Sequence, residues 1–514
     1  MNEFVEVTNT PVKFNLAEHL LAPQLTQARR DQVAIILARC PQHQQITYGE
    51  LWQLTLKAAR LLADGGVQRG DRVLIALPDG LDFVVALFGA LAAGAVVVMA
   101  NPEAPGSDLR HVHEYVKARA VLAHASTGNR MALAVGSLVF TCGSERDDFM
   151  AKVAASPEAD EVVATSGDDD AFWLLTSGST GAPKAAMHRH KDFAAHIQCY
   201  AKPILKLTDE DTTLAVPKLH FPYATGMNLL FPLAVGAKTI LFPERRSPAE
   251  ILDLMQKFGP TVFSTVPTAL TKMLALPACE RRPLDRLRVA VSAGEALPPH
   301  LLRRWQQDHV APLLDGLGSA EMFHVYVSNR LNDVRPGGLG LAVPGYETRV
   351  VLEHGHTAPP GEIGSLWVRG PSAARGYHAD AERSASTFLP EGWVVTGDMF
   401  RKDAAGYHQY EGRADDLFKV AGLYVSPLEV EAVLRQHKAV EDCAVVGCAD
   451  ADGLIKPKAF VVLSTDQTDG EDLWAELARF CRQHLLGYKV PLHWQTLAEL
   501  PRNDRGKLIR HALR

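Results

Sequence analysis

The chain has 514 residues, more than one hydrophobic core usually organises, so at least two domains are expected. Its 47% hydrophobic and 22% charged residues are typical of a globular protein, and its formal net charge of −6 argues against a nucleic-acid-binding surface. None of the seven cysteines forms a CxxC pair. The sequence therefore predicts neither a disulfide framework nor a zinc ribbon, and it favours a reducing, cytoplasmic compartment.

The most apolar segment is 83–100, whose 18 uncharged residues reach the threshold length for a membrane span. Gly89 and Gly94 interrupt it, however, and its character changes from Ala/Leu-rich to β-rich at AVVVMA. We therefore predict a buried helix followed by a buried parallel strand. The first residues also lack the basic and apolar regions of a signal peptide.

Helical and strand-like patterns alternate along most of the chain. Segment 51–64 is typical of an amphipathic helix, and 72–77 of a short apolar strand. The same order, a helix followed by a strand, recurs at 249–258 and 261–265. Alternation of this kind predicts layered α/β architecture with largely parallel sheets.

The best domain boundary follows Arg413, because residues 414–514 form a block the size of a small domain. Four elements are predicted in that block: helices 427–437 and 471–486, and strands 441–447 and 459–464. We therefore predict an α/β fold with a large N-terminal domain of layered α/β sheets, 1–413, and a small C-terminal α+β domain, 414–514.

The strongest local motif is the loop LTSGSTGAPK, which follows an apolar strand at 171–175. Glycines, hydroxyl groups and a lysine in one loop can surround phosphate oxygens. It is not a Walker A loop, since no Gly-Lys-Ser/Thr follows, and its place directly after a buried strand argues against a flexible linker. The predicted nucleotide-binding residues here are Thr176, Ser177, Gly178, Ser179, Thr180, Gly181 and Lys184.

This loop resembles the phosphate loop of the acyl-adenylate-forming superfamily, which includes acyl-CoA synthetases, adenylation domains of nonribosomal peptide synthetases, and luciferases. Four further segments resemble motifs of that superfamily in the same order: Asp315-Gly-Leu-Gly-Ser-Ala-Glu321, Thr396-Gly-Asp398, Glu411-Gly-Arg413-Ala-Asp415 and Gly506-Lys507. The resemblance covers about 51–507 and implies an ATP-dependent, carboxylate-activating enzyme with a mobile C-terminal domain.

The resemblance implies roles for individual residues. Glu321 would hold Mg²⁺, which prefers hard oxygen ligands, Asp398 would accept the ribose hydroxyls, and Arg413 would contact the nucleotide. Asp415 would be the hinge between the domains, and Lys507 would reach the carboxylate and the α-phosphate. Catalytic roles are thus assigned to Lys507, Glu321, Asp415 and His220, and further nucleotide contacts to Gly294, Glu295, Asp315, Gly316, Ser319 and Ala320.

Two positions depart from the superfamily pattern. Ala320 stands where most relatives have threonine, which removes a hydroxyl near the phosphates. Asn-Asp-Arg at 503–505 replaces the usual Thr-x-Thr before Gly506 and weakens the expected hydrogen bonding around Lys507.

Segments 218–223, 291–298 and 315–324 narrow the resemblance to benzoate-type aryl-CoA ligases. A flat aryl acid fits a narrow apolar slot bordered by glycine backbone and an aromatic ring. The predicted lining is Tyr223, Thr225, Gly226, Ala293, Gly318 and His324. His220 and Thr225 add polarity, which favours 2-aminobenzoate or a hydroxybenzoate over benzoate, although ordinary packing is the alternative for His220 and Tyr223.

The implied cofactors and co-substrates are ATP, Mg²⁺ and coenzyme A, with an aryl carboxylic acid as substrate. A stand-alone adenylation enzyme that loads a carrier-protein thiol uses the same motifs, so that alternative stays open, as does a homodimer. The intact motifs argue against a catalytically dead binding protein of the same fold.

Two His-x-His pairs, His111/His113 and His188/His190, have the spacing of metal ligands. Because no third ligand lies nearby in the sequence, we predict that these histidines face solvent.

Overall fold

The computed structural model describes residues 13–38, 44–131, 138–143, 148–177, 183–277, 284–421, 423–450, 453–464, 467–502 and 508–513. They divide into two compact units. The first unit contains the described residues up to Arg335, with Gly340–Glu347 and Arg369–Val394. The second unit contains Pro336–Leu339, Thr348–Val368 and the described residues from Val395 onward.

The α-helices, in chain order, are α1 Leu16–Leu21, α2 Tyr48–Asp64, α3 Leu81–Ala92, α4 Gly106–Val116, α5 Ala125–Met131, α6 Phe149–Ala155, α7 His190–His196, α8 Pro222–Thr225, α9 Phe231–Val235, α10 Pro248–Phe258, α11 Pro267–Leu274, α12 Pro299–Asp308, α13 Ala381–Thr387, α14 Pro427–Leu434 and α15 Glu471–His484. Short 3₁₀ segments lie at Ala22–Gln24, Ala320–Met322, Pro390–Gly392, Gly487–Lys489 and Arg510–Leu513, and π-helical turns at Ile197–Ala201 and Gly226–Leu230.

The strands are β1 Val33–Leu37, β2 Gln44–Thr47, β3 Arg72–Ala76, β4 Val96–Met99, β5 Ala118–His124, β6 Leu138–Cys142, β7 Asp170–Ser177, β8 Pro183–Arg189, β9 Thr212–Ala215, β10 Lys238–Leu241, β11 Val262–Thr265, β12 Val289–Ala293, β13 Leu313–Gly318, β14 Val325–Ser328, β15 Leu341–Ala342, β16 Glu347–Val351, β17 Gly364–Arg369, β18 Trp393–Lys402, β19 His408–Arg413, β20 Phe418–Val420, β21 Leu423–Val425, β22 Val440–Ala449, β23 Ile455–Leu463 and β24 His493–Thr496.

Two large sheets organise the first unit. One has the strand order β15-β14-β13-β12-β11-β9-β10-β1-β2, and the other β6-β5-β3-β4-β7-β8. The run from β13 through β12, β11, β9 and β10 to β1 is parallel throughout. The predicted α/β fold with largely parallel sheets is confirmed.

The apolar segment 83–100 is divided as the sequence predicts. Nearly all of α3 is buried, Gly94 takes the left-handed conformation at φ +72°, and the fully buried β4 follows. Glycine adopts that conformation without a Cβ clash, which allows the sharp turn from helix to strand. Among the described residues no helix has both the length and the apolarity that a membrane crossing requires.

Local sequence also explains where helices begin. The N-terminus of α10 is capped by Ser247, whose side chain accepts from the Glu250 backbone N–H, while the Glu250 carboxylate accepts from the Ser247 N–H. Pro248 occupies the first helical position, where its missing N–H costs nothing. The helix ends at Phe258, and the capping Gly259 that follows has φ +56°.

The second unit contains a four-stranded sheet, β16-β17-β18-β19, the hairpin β20-β21, and a three-stranded sheet, β22-β23-β24. Apolar side chains of α14 and α15 share one hydrophobic cluster with β22 and β23, including Val430, Leu477 and Val461. The α+β character predicted for the C-terminal part is confirmed. The hinge at Asp415 stays a prediction.

Candidate active site

Two predicted nucleotide-binding segments meet at the carboxyl ends of β12 and β13. These strands are parallel, and their register places Ala293 opposite Gly316. Gly294 continues from β12 with φ +86°, and a Cβ at this residue would meet no atom of the described residues within 4 Å. An open space therefore adjoins the strand ends, where ligands of open α/β sheets commonly bind.

Asp315 lies at this edge with a carboxyl group that is almost completely buried. Burial raises the pKa of this carboxyl well above its usual range. The backbone N–H of Asp315 donates to Asn329 Oδ1 (3.0 Å), whereas no described residue donates to Asp315 Oδ1. The Asp315 carboxyl therefore keeps its proton to higher pH than an exposed one and can donate as well as accept.

Glu321 lies in a single 3₁₀ turn, Ala320–Met322, directly after β13. Its Oε1 accepts hydrogen bonds from Tyr377 Oη (2.6 Å) and Lys184 Nζ (3.3 Å). Lys184 Nζ also donates to Tyr377 Oη (2.7 Å) and lies 4.1 Å from the centre of the tyrosine ring. Tyr377 thus bridges the cation and the carboxylate. No motif in the sequence indicated this tyrosine.

The electrostatics of this cluster keep Glu321 ionised. Burial alone would raise the pKa of Glu321, but the Lys184 cation and the Tyr377 hydroxyl hold it below its ordinary value. Burial and the neighbouring Glu321 carboxylate raise the pKa of Tyr377, which therefore remains a neutral donor.

The Glu321 carboxylate fits a magnesium ion. The Lys184 and Tyr377 donors both contact Oε1, and the ionised carboxylate provides hard anionic oxygens. Within the described part of the chain no three His, Cys, Asp or Glu residues cluster as metal ligands. A single carboxylate suits Mg²⁺, which keeps several waters and binds substrate phosphates.

The backbone after Glu321 makes a tight γ-turn. Phe323 has φ +66° and ψ −54°, and the His324 N–H donates to the Met322 carbonyl (2.8 Å). A non-glycine residue in this conformation costs about 1–3 kcal/mol, which the surroundings must offset. The Phe323 ring is buried and lies 4.3 Å from the Phe193 ring, centre to centre. The turn sets a short, fixed separation between Glu321 and His324.

His324 and Tyr223, two predicted aryl-binding residues, are in contact. His324 Nε2 lies 3.0 Å from the Tyr223 carbonyl oxygen, and the two rings are 5.5 Å apart. Burial lowers the pKa of His324 to about 3, so the imidazole is neutral. A carbonyl can only accept, so Nε2 carries the hydrogen and Nδ1 keeps a lone pair, for which no described residue provides a donor.

Two predicted glycines allow this arrangement. A Cβ at Gly226 would lie 2.5 Å from the His324 ring, and a Cβ at Gly318 would lie 2.6 Å from the His324 carbonyl oxygen. Tyr223 Oη donates to the Val291 carbonyl (2.9 Å), which ties α8 to β12. The structure therefore brings together Tyr223, Gly226, Gly318 and His324.

The two predicted polar groups of the aryl site are placed differently. Thr225 is fully buried, and its hydroxyl donates to the Leu219 carbonyl. Since a hydroxyl has one proton, Thr225 cannot also donate to a ligand. The half-buried His220 ring lies against Phe221, with centres 4.1 Å apart. The substrate-reading roles of Thr225 and His220 stay predictions.

Other predicted residues of the first unit have definite surroundings. Strand β7 ends with Thr176 and Ser177. In the antiparallel pairing of β7 with β8, Thr176 lies opposite Lys184 and Ser177 opposite Pro183. Glu295 Oε2 accepts from Thr268 Oγ1 (2.7 Å). Ser319 Oγ is buried and has no hydrogen-bond partner among the described residues.

Within the second unit, Asp398 on β18 is paired with Arg413 on β19. Arg413 Nη1 donates to Asp398 Oδ1 (3.1 Å) and to the Thr396 carbonyl (3.0 Å). Gly397 has φ +73°, and a Cβ there would lie 2.7 Å from the guanidinium. The Thr-Gly-Asp turn thus needs its glycine. Gly178, Ser179, Thr180, Gly181 and Lys507 lie outside the described residues.

The prediction that His188 and His190 face solvent is wrong. Both are completely buried on β8 and at the start of α7. His190 Nδ1 accepts from the Leu16 N–H (3.1 Å), and burial lowers the pKa of His190 to about 4. The alternating histidines resemble an exposed strand face, but neighbouring elements cover that face.

Comparison with known proteins identifies the class. The AMP-binding enzyme family model matches residues 23–378, and the model of the AMP-binding enzyme C-terminal domain matches 429–507. The chain therefore belongs to the AMP-binding enzyme family, and the predicted superfamily resemblance is confirmed.

Individual relatives narrow this result. The chain is 38% identical over 512 residues to a benzoate–CoA ligase of Thauera aromatica, covering 98% of this chain and 96% of that protein. It is 33% identical over 455 residues to an anthranilate–CoA ligase of Pseudomonas aeruginosa, covering 87% of each. The crystal structure of the anthranilate CoA ligase AuaEII with anthranoyl-AMP matches with a TM-score of 0.90 and 34% identity, covering 98% of this chain and 97% of that one. The predicted resemblance to benzoate-type aryl-CoA ligases is confirmed.

Proposed function

We propose that this protein is an AMP-forming aryl-CoA ligase, which activates an aromatic carboxylic acid with MgATP and transfers the acyl group to coenzyme A. The observation that carries the proposal is the buried Glu321 carboxylate, kept ionised by Lys184 and Tyr377 and joined by one tight turn to His324. Similarity to benzoate– and anthranilate–CoA ligases over nearly the whole chain supports an aromatic acid as the substrate and coenzyme A as the acyl acceptor.

In the first half-reaction, a carboxylate oxygen of the acid attacks the α-phosphorus of ATP, and the bond to the β-phosphate oxygen breaks. The products are aryl-AMP and pyrophosphate. Glu321 would hold Mg²⁺, which when bound neutralises phosphate charge. Lys184 lies beside Glu321 and would add a positive charge near the phosphates. Asp398 and Arg413 would contact the nucleotide, and Lys507 would contact the reacting carboxylate.

In the second half-reaction, the thiol sulfur of coenzyme A attacks the carbonyl carbon of aryl-AMP. The thiol proton is lost, AMP leaves, and the aryl thioester is released. The predicted rotation about Asp415 would bring the thiol to the carbonyl between the two steps.

For the acid itself we propose a benzoate with a ring substituent that can donate a hydrogen bond, such as 2-aminobenzoate or a hydroxybenzoate. Tyr223 and His324 provide ring surfaces, and Gly226 and Gly318 let the imidazole lie close to backbone. Similarity to an anthranilate–CoA ligase over 87% of this chain supports a ring substituent of this kind.

A screen of acids by pyrophosphate release, with and without coenzyme A, tests the proposal. We expect ring-sized aryl acids to be activated and free aryl-CoA to form with coenzyme A as the only thiol. Higher kcat/KM for octanoate than for every aryl acid would overturn the aryl assignment. Aryl-AMP formation without aryl-CoA release would favour the alternative, an enzyme that loads a carrier-protein thiol.

The cysteines support a reducing compartment, for which we propose the cytoplasm. Cys142, Cys199, Cys443 and Cys481 are buried free thiols. Disulfides are rare where glutathione and thioredoxin keep thiols reduced.

A further inference from the structure

Strand β8 contacts the turn of Glu321 at two points. Lys184 contacts the Glu321 carboxylate, and His188 Nε2 lies 2.6 Å from the carbonyl oxygen of Ala320. These two residues are four apart on one strand, so their side chains share a face of the sheet. One strand therefore holds both the side chain and the backbone of the turn.

The hydrogen bond from His188 has a defined direction. A carbonyl oxygen only accepts, so Nε2 carries the hydrogen. The imidazole has no exposed surface, and its Nδ1 lies 3.5 Å from Oδ2 of the buried Asp192. Asp192 is itself held, since its Oδ2 accepts from the Arg189 backbone N–H (2.9 Å). The ring packs edge-to-face on Phe193, with centres 5.9 Å apart. His188 is therefore a fixed donor.

The Ala320 carbonyl belongs to the peptide group that directly precedes Glu321. All three carbonyls of the 3₁₀ turn accept from residues outside it: Ala320 from His188 Nε2 (2.6 Å), Glu321 from the Ala374 N–H (2.9 Å) and Met322 from Ser372 Oγ (2.7 Å). The turn runs into the strained conformation of Phe323, so its geometry depends on these outside contacts. Of the three, the contact from His188 is made to the peptide from which the Glu321 side chain departs, and the same carbonyl accepts a longer hydrogen bond from the Phe323 N–H (3.3 Å).

We propose that His188 is a positioning residue for the metal-binding carboxylate: its Nε2–H, through the Ala320 carbonyl, sets the direction in which Glu321 presents its oxygens. The proposal rests on the proposed role of Glu321 toward Mg²⁺. His188 contacts neither the nucleotide nor the acid in this scheme. Loss of its hydrogen bond therefore weakens the magnesium-dependent part of ATP binding and leaves the magnesium-independent part unchanged.

Substitutions at His188 can separate the hydrogen bond from the packing of the ring. Glutamine places an amide nitrogen where Nε2 lies, whereas asparagine is too short to reach the Ala320 carbonyl. ATP binding is measured by titration calorimetry with Mg²⁺ and with EDTA, for wild type, His188→Gln, His188→Asn and Glu321→Gln. The magnesium gain is the dissociation constant for ATP measured with EDTA divided by the one measured with Mg²⁺.

We expect Glu321→Gln to lose most of the magnesium gain, and His188→Asn to lose about five- to tenfold, the scale of one hydrogen bond. His188→Gln should stay within about twofold of wild type, and ATP binding in EDTA should be equal in wild type and the His188 variants. Should His188→Asn fail to fold, His188→Met fills the volume without an N–H and replaces it.

The inference is overturned if His188→Asn, or His188→Met where it replaces it, keeps the wild-type magnesium gain. It is also overturned if His188→Asn and His188→Gln lower the gain equally, since ring packing would then be responsible. A wild-type gain in Glu321→Gln would instead refute the metal role of Glu321 in the proposed function. The two failures are thus distinguishable.

Discussion

Replacing Tyr377 with phenylalanine removes one hydroxyl group from the cluster around Glu321 and keeps the ring. That hydroxyl donates to Glu321 Oε1 (2.6 Å) and accepts from Lys184 Nζ (2.7 Å). The direct Lys184–Glu321 contact of 3.3 Å and the ammonium over the ring at 4.1 Å do not depend on it. The substitution therefore isolates the bridging hydrogen bonds.

The size of the effect follows from the charges involved. A hydrogen bond to a charged group contributes about 1.5–3 kcal/mol, and both partners of the Tyr377 hydroxyl are charged. The remaining Lys184–Glu321 contact offsets part of the loss. We therefore expect adenylation to slow by roughly 10- to 100-fold, or about 1.4–2.8 kcal/mol.

The rate of pyrophosphate release at saturating acid and ATP measures this effect. Thioester formation from supplied aryl-AMP should change by less than about twofold, because the barrier of that half-reaction lies after the phosphate step. Tyr48→Phe is the matched control, since it also removes a buried hydroxyl, one that donates to the Ala237 carbonyl (2.6 Å). An adenylation rate near wild type in Tyr377→Phe, or equal losses in both half-reactions, would refute the reasoning.

Three further predictions concern other parts of the chain. Lys507→Ala should slow pyrophosphate release by on the order of 10²-fold, because a cation at the reacting carboxylate is lost, while thioester formation from supplied aryl-AMP stays nearly intact; equal losses would contradict the assignment. Gly226→Ala should raise the KM for the aryl acid by roughly tenfold, because its Cβ would lie 2.5 Å from the His324 ring, with the KM for ATP as internal control. Burial raises the pKa of Asp79 to about 6, above its value in the unfolded chain. Ionisation of Asp79 in the folded protein therefore lowers the stability, and this loss grows as the pH rises from about 4 through 6. At pH 8 the free energy of unfolding of Asp79→Asn should therefore exceed that of wild type by on the order of 2–3 kcal/mol, measured as a higher melting temperature, with the difference vanishing near pH 4; a pH-independent difference would contradict this.

Much of the candidate site could be predicted from short segments. The Gly-Leu-Gly segment before Glu321 and the Thr-Gly-Asp turn at 396–398 are local motifs whose glycines have local steric reasons. Gly397 permits the Arg413 side chain to lie against the turn, and Gly318 permits the chain to return beside His324. Such requirements act within a few residues or across one strand pair, so they leave a mark in the sequence.

By itself, the sequence determined the α/β layers, the buried helix and strand of 83–100, the order of the motifs and the family, because each depends on local pattern. Only the tertiary structure decided that Tyr377, 193 residues from Lys184 in the chain, bridges it to Glu321, and that His188 is buried against the Ala320 carbonyl. A strand with alternating polar residues has the same pattern whether water or another element covers its polar face. Burial and hydrogen-bond partners at that face come from chain segments far away in sequence, so no local pattern encodes them.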